Sequence, residues 1–378
     1  MTREEVNQMA LDAVDYHKCI ILELITGYGK TKIAIDVANK ICNKLKNRQI
    51  SAKVLILVAK SIHKATWVEE IKKWGGLNTE NVVIECYESL HKYQNDVFDV
   101  IIMDEQQHLS DRRKEILRTI TINEALIGLS ATIKDEMREY FKCKYNAYFI
   151  QCDLREAIDN NILPEPEIYL YPLDLDSTKV TYTTKRFKNT LKTTQRGYYN
   201  NLNYMTNWYK EKYYSTHNPR IQNLWRFTAI KRFVWCSEQK ESVVKEILDK
   251  FKNYKTLTFC SSIEQSKRLG KYNINSKNKD SIKNYNMFNS NKIKHITAVN
   301  ILNENANLND CRIGIFCNLN ASEIITKQRC GRLLRHKKPV IIIPYFNNTR
   351  ESEVVEDMIK DHNTEHIHII KNIDEIKI

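Results

Sequence analysis

Leu24-Ile25-Thr26-Gly27-Tyr28-Gly29-Lys30-Thr31 decides how the rest of the chain reads. Ahead of it, Cys19-Ile20-Ile21-Leu22-Glu23 is an apolar run of strand length; behind it, Lys32-Ile33-Ala34-Ile35-Asp36-Val37-Ala38 continues with helical spacing. Strand, glycine turn and helix in this order are the setting a phosphate-binding loop requires. Gly27 and Gly29 let the backbone N–H groups of Thr26–Thr31 turn inward around phosphate oxygens, and the helix N-terminus adds the positive end of its dipole. Lys30 supplies a point charge and Thr31 a hydroxyl suited to Mg²⁺. The first glycine of the wider G-x-x-x-x-G-K-[ST] pattern would fall at position 24, where the chain has Leu. Taken alone, the stretch also suits an ordinary turn before a buried helix.

At 378 residues the chain exceeds one compact core and suits about two domains. With 42% hydrophobic residues, 9 Gly and 6 Pro, it reads as a folded protein. No apolar run approaches the length of a membrane span, and the charged opening Met1-Thr2-Arg3-Glu4-Glu5 does not read as a secretory signal. The ten cysteines are scattered without a C-x-x-C, which suits buried free thiols in a reducing cytoplasm better than a disulfide framework or a zinc site. The net charge of +13 is local: Lys185–Arg232 holds 11 Lys or Arg against one acid, Glu211, leaving 48 basic and 45 acidic residues elsewhere. A basic excess gathered in one segment is expected of a surface that meets phosphates.

Strand-like runs recur at 19–24, 54–59, 82–86, 97–103, 125–128 and 147–150, with helical stretches between most of them. This alternation predicts an α/β fold with a parallel sheet, whose ligands bind at the carboxyl ends of the strands. The fourth run delivers Asp104-Glu105-Gln106-Gln107-His108 to the same sheet edge as the glycine loop. There Asp104 can hold Mg²⁺ through water while Glu105 orients and deprotonates the water that attacks a γ-phosphate. An acidic pair favoured by a helix dipole is the competing reading of these two residues alone. Ser130-Ala131-Thr132 follows the next strand, where helix capping is the simpler account.

Thr26–Thr31, the Asp104–His108 box and Leu129-Ser130-Ala131-Thr132, in this order and spacing, resemble motifs I, II and III of superfamily 2 helicases of the DEAH-like branch, with compact viral and restriction-type DNA helicases the nearest likeness. Val58-Ala59-Lys60 with Trp67-Val68-Glu69-Glu70 resembles their motif Ia region, Tyr87-Glu88-Ser89-Leu90 their segment Ib, and Gln8 the glutamine that reads adenine. In the second half, Ser261-Ser262-Ile263-Glu264-Gln265 resembles motif IV. Asn300–Leu308 stands in the place of motif V, with Asn305 where the family commonly has Gly and Asn307 where it has Asp. Gln328-Arg329-Cys330-Gly331-Arg332-Leu333-Leu334-Arg335 resembles motif VI without departure. In a helix Arg332 and Arg335 share one face, and two guanidiniums presented together can stabilise charge on a transferring phosphoryl group.

The resemblance implies two tandem RecA-like P-loop domains, at 1–163 and 236–378. Between them, 164–235 is expected to hold a linker strand and a basic, largely helical insertion. Ten aromatics stand among the cations of Lys185–Arg232, Trp208 and Phe227 among them. Cations neutralise phosphates and aromatic faces stack on unpaired bases, so the mixture suits single-stranded or forked nucleic acid; a buried aromatic core with a solvated charged face is the alternative. Expected nucleic-acid contacts are Lys60, Ser261, Arg186, Lys188, Arg196 and Trp208. Expected cofactors are ATP and Mg²⁺, with Thr31 and Asp104 on the metal. Lys30, Asp104, Glu105, Gln328, Arg332 and Arg335 would carry hydrolysis, and Gln8, Thr26, Gly27, Tyr28, Gly29, Lys30 and Thr31 would hold the nucleotide. The expected protein is a cytoplasmic monomer, in the host cytoplasm if viral, acting as a helicase or translocase on nucleic acid, DNA favoured over RNA, beside replication or recombination partners. The rival expectation is an ATP-dependent nucleic-acid-binding switch without processive unwinding.

Overall fold

The computed structural model describes residues 1–77, 79–186, 189–299, 308, 310–319 and 336–378. The chain forms two compact units, Met1–Leu163 and Pro164–Ile378. The first is built on a six-stranded sheet of β1 (Cys19–Leu24), β2 (Val54–Val58), β3 (Val82–Cys86), β4 (Val97–Asp104), β5 (Thr121–Ser130) and β6 (Tyr148–Cys152). Its order is β3-β2-β4-β5-β1-β6 and every pairing is parallel. Near-continuous apolar runs such as Val54-Leu55-Ile56-Leu57-Val58, buried at every position, are what a sheet covered on both faces demands. The connections carry α1 (Arg3–Ala13), which precedes β1, then α2 (Lys30–Lys46), α3 (Ser61–Trp74), α4 (Asp111–Thr119), α5 (Asp135–Tyr145) and α6 (Leu154–Asp159). Helix α2 buries Ile33, Ala34, Val37, Ala38, Ile41 and Leu45, the i, i+3/i+4 stripe its sequence sets out.

The second unit has a seven-stranded parallel sheet, β11-β12-β10-β13-β14-β7-β15. Its strands are β7 (Glu167–Leu173), β10 (Thr256–Phe259), β11 (Asn273–Ile274), β12 (His295–Ala298), β13 (Ile313–Phe316), β14 (Val340–Phe346) and β15 (Ile367–Ile369). The expected linker strand, β7, runs between β14 and β15. The basic segment opens as an antiparallel ribbon, β8 (Val180–Arg186) and β9 (Asn189–Thr194), before two long helices, α7 (Gln195–Thr216) and α8 (Pro219–Gln239). The segment is largely helical, as expected, and adds a ribbon whose Thr-rich β-branched run favours strand. Helices α9 (Glu241–Lys250), α10 (Ile263–Leu269), α11 (Ser281–Asn289) and α12 (Arg350–Ile359) complete the described helices of this unit. No helix among the described residues is long and apolar enough to cross a membrane.

The base of the α7–α8 pair is tied to the sheet by polar contacts. Lys240, fully buried, donates to Glu351 Oε1 at 2.7 Å, and the backbone N–H of Phe346 donates to Glu351 Oε2 at 3.0 Å. The Tyr199 hydroxyl accepts from the Arg350 N–H at 2.8 Å.

Candidate active site

Register alone brings three of the quoted stretches together. On β4 and β5, Asp104 stands opposite Leu129; on β5 and β1, Ser130 stands opposite Glu23. Parallel strands lie roughly 4.8 Å apart, so the end of β4 and the start of the loop after β1 are about 10 Å apart, with Ser130 between them.

The loop after β1 carries the geometry its glycines permit. Gly27 and Gly29 have φ of 95° and 108°, left-handed values that a side chain strains. Gly29 is the N-cap of α2, so the free N–H groups of that helix open into the loop. Lys30 Nζ donates to Leu24 O at 2.6 Å, folding the ammonium over the loop. Tyr28 is buried, and its hydroxyl donates to Met1 O and Thr2 O, both at 3.1 Å. Burial pushes this phenol well above its usual pKa, so it stays a donor. Its side chain therefore anchors the loop to the start of α1 and leaves its backbone to face a ligand. The Arg3 guanidinium adds a bond to Gly27 O at 3.2 Å. Gln8 is exposed on α1, and its amide donates to Asp12 Oδ1 at 2.8 Å within the same helix.

The acidic pair is buried at the end of β4, Asp104 at 5% and Glu105 at 4% exposure. Glu105 has φ 54°, a left-handed turn that costs a non-glycine residue on the order of 1 kcal/mol and marks a constrained site. Among the described residues, Trp67, Tyr87 and Gln107 reach the pair. The Trp67 indole N–H donates to Asp104 Oδ2 at 2.9 Å, the Tyr87 hydroxyl donates to Asp104 O at 3.1 Å, and Gln107 Nε2 donates to Glu105 Oε2 at 2.7 Å. Gln107 Oε1 in turn accepts from Ser130 Oγ at 2.9 Å, so a hydrogen-bonded chain runs from Glu105 through Gln107 to Ser130. Burial, followed by the negative charges of Asp104 and Glu105, drives the Tyr87 pKa upward. Gln106 is wholly buried against Gly128, where a Cβ would run into its amide oxygen. Carboxylate and hydroxyl oxygens form the donor set a hard divalent cation takes. With a left-handed glycine cradle two strands away, the residues fit a magnesium–nucleotide complex.

Gln107, Trp67 and Tyr87 lie in the stretches that carry the resemblance, but their roles in the site are not marked by the sequence. Gln107 could have been found from its place two residues after Glu105; Trp67, 37 positions upstream of Asp104, could not.

The remaining candidates belong to the second unit. Ser261 follows β10, and both its N–H and its Oγ–H donate to Gln265 Oε1, at 2.8 and 2.9 Å. Arg196 donates to Asn348 O at 3.1 Å and Asn347 O at 3.3 Å, contacts that tie α7 to the turn after β14. Trp208 is 44% exposed on α7, with Lys212 Nζ 5.9 Å from its ring centre. Arg186 closes β8, but its side chain lies outside the described atoms. Lys188, Asn305, Asn307, Gln328, Arg332 and Arg335 lie outside the described residues. In the first unit, Lys60 is exposed at the N-cap of α3, beside the edge that carries Asp104.

A scan of protein-family models and a search of curated proteins find no match. Solved structures do match. Saccharomyces cerevisiae Dbp5 bound to RNA and ADP–BeF3 is 12% identical, with 97% of this chain and 89% of that one covered and a TM-score of 0.64. A fragment of a putative HsdR subunit of a type I restriction enzyme from Vibrio vulnificus is 16% identical, covering 96% and 67%, with a TM-score of 0.61. The helicase domain of Pyrococcus furiosus Hef is 13% identical, covering 92% and 96%, with a TM-score of 0.56. The chain has the tandem RecA-like fold of superfamily 2 helicases.

Proposed function

We propose that this protein is a nucleic-acid-dependent ATPase that works as a helicase or translocase on single-stranded or forked nucleic acid, with DNA favoured by the likeness of its motifs to restriction-type helicases. The observation that carries the reading is the convergence of a left-handed glycine loop, a buried Asp-Glu pair and Ser130 on three neighbouring strand ends. Lys30 and the loop N–H groups would hold the phosphates, Thr31 and Asp104 the metal, and Glu105 the attacking water. Gln328, Arg332 and Arg335 would come from the RecA-like domain of residues 236–378, the two guanidiniums stabilising transition-state charge. Residues 164–235 would supply a nucleic-acid arm, with Lys60 and Ser261 adding contacts from the domains on either side. Bound ATP supplies the driving reaction, and nucleic acid sets its rate.

Replacing Lys30 with Ala should abolish ATP hydrolysis and leave nucleic-acid binding intact; a variant that still turns over ATP would sink the assignment. The second reading is a nucleotide-dependent clamp or annealing factor, favoured by Asn305 and Asn307 at positions where the family has Gly and Asp. Strand displacement on a forked duplex, run beside nucleic-acid-stimulated ATPase, separates the two. Stimulated hydrolysis without displacement or translocation favours the clamp.

A further inference from the structure

Helix α3 starts three residues after β2, at the same carboxyl edge of the first sheet that carries Asp104. Lys60, its N-cap, faces solvent at that edge. Near the middle of the helix Trp67 turns inward and is buried to 2% exposure. Packing alone would be served by phenylalanine or leucine, and tryptophan in a closed core must also satisfy its N–H. Here the indole N–H donates to Asp104 Oδ2 at 2.9 Å. A donor on a buried carboxylate selects one side-chain rotamer, because the ring is fixed by its own burial. The main chain of Asp104 is held separately, by Tyr87. Among the described contacts, Tyr87 holds the main chain of Asp104 and Trp67 holds its carboxylate.

We infer that Trp67 is a positioning residue for the magnesium–nucleotide complex, which it serves by fixing the orientation of the Asp104 carboxylate. The inference rests on the ATPase reading above. It gives α3 a role in the nucleotide site besides the nucleic-acid contact expected of its N-terminus: any displacement of this helix moves the indole N–H, and with it the metal-binding oxygen.

Trp67→Phe keeps most of the ring and removes the donor. In the full-length protein it should raise the Mg²⁺ concentration for half-maximal binding of a non-hydrolysable ATP analogue by roughly tenfold, the scale of one hydrogen bond to a charged group. Nucleotide binding in EDTA should not change. Tryptophan emission supplies a readout apart from turnover. Adding Mg²⁺ to the analogue-saturated protein should change emission in the wild type and in Trp74→Phe, which lacks the exposed tryptophan of the same helix, but not in Trp67→Phe. Tyr87→Phe serves as the packing comparison, since it removes a hydrogen bond from the main chain of Asp104 and leaves the carboxylate alone. Wild-type magnesium dependence in folded Trp67→Phe overturns the inference, and so does an equal loss in Trp67→Phe and Tyr87→Phe. A wild-type protein that binds no magnesium–nucleotide overturns the ATPase reading, and that failure is visible before any variant is made.

Discussion

Glu105 and Asp104 are adjacent in sequence yet are held by different partners, and the difference suits the tasks proposed for them. The Asp104 carboxylate takes a donor from Trp67 and its main-chain oxygen one from Tyr87, which suits the ligand role proposed for it. Glu105 takes its donor from Gln107, whose oxygen accepts from Ser130. A water-activating carboxylate needs a set orientation and an acceptor oxygen left for the water. Gln107 meets both needs by donating to one oxygen only. Replacing Gln107 with Ala should lower the catalytic rate by ten- to a hundredfold with little effect on ATP affinity, since the loop after β1 is untouched; steady-state ATPase kinetics check this. Replacement with Glu should be worse, because a second carboxylate beside Glu105 cannot donate in its ionised form.

At the scale of elements, α8 shows large apolar side chains to solvent. Leu224, Phe227 and Ile230 are exposed at 45%, 64% and 61%, and Arg220, Arg226 and Lys231 stand among them with no ion pair among the described residues. A long helix that shows apolar and cationic groups together to solvent suits a partner carrying both bases and phosphates. Replacing Trp208 and Phe227 together with Ser should weaken single-stranded nucleic-acid binding about tenfold at fixed salt, while cation removal at Arg226 and Lys231 should instead flatten its salt dependence. Titrations by fluorescence anisotropy at several salt concentrations read both effects. The base of the same helix pair depends on Lys240 and Glu351. Lys240→Met would leave a buried carboxylate without its cation, and should destabilise the unit by about 3–5 kcal/mol in denaturant unfolding.

For the whole molecule, the proposed function draws on residues far apart in sequence, Lys30 to Glu105 and Gln328 to Arg335. Replacing Arg335 with Ala should reduce turnover by on the order of a thousandfold while changing ATP affinity by less than tenfold, the pattern of a group that acts on transition-state charge. Equal losses in both quantities would argue against a finger role. A comparison of single-turnover rates with equilibrium binding of a fluorescent ATP analogue makes the distinction.

Much of the fold was legible in the chain itself, because buried parallel strands write themselves as apolar runs. Cys19–Leu24 and Val82–Cys86 are strands with the bounds that the sequence indicates, and the α/β class with tandem RecA-like sheets follows from the alternation and the resemblance. Short or polar elements were not legible. Asn273–Ile274 is a two-residue strand made by pairing with β12, and the β8–β9 ribbon depends on cross-strand partners that no local period reveals. In the candidate site, the residue types and spacing of the loop and the Asp-Glu pair stand in the chain itself, in the pattern that the proposed phosphate and metal chemistry would require. What only tertiary structure decided is which neighbours orient those groups. Trp67 meets Asp104, and Gln107 links Glu105 to Ser130, because β2, β4 and β5 are neighbours in a sheet whose order differs from the order of the chain. That order is settled by burial of all the strands together, and a hydrogen bond between residues 37 positions apart has no signature in either local sequence.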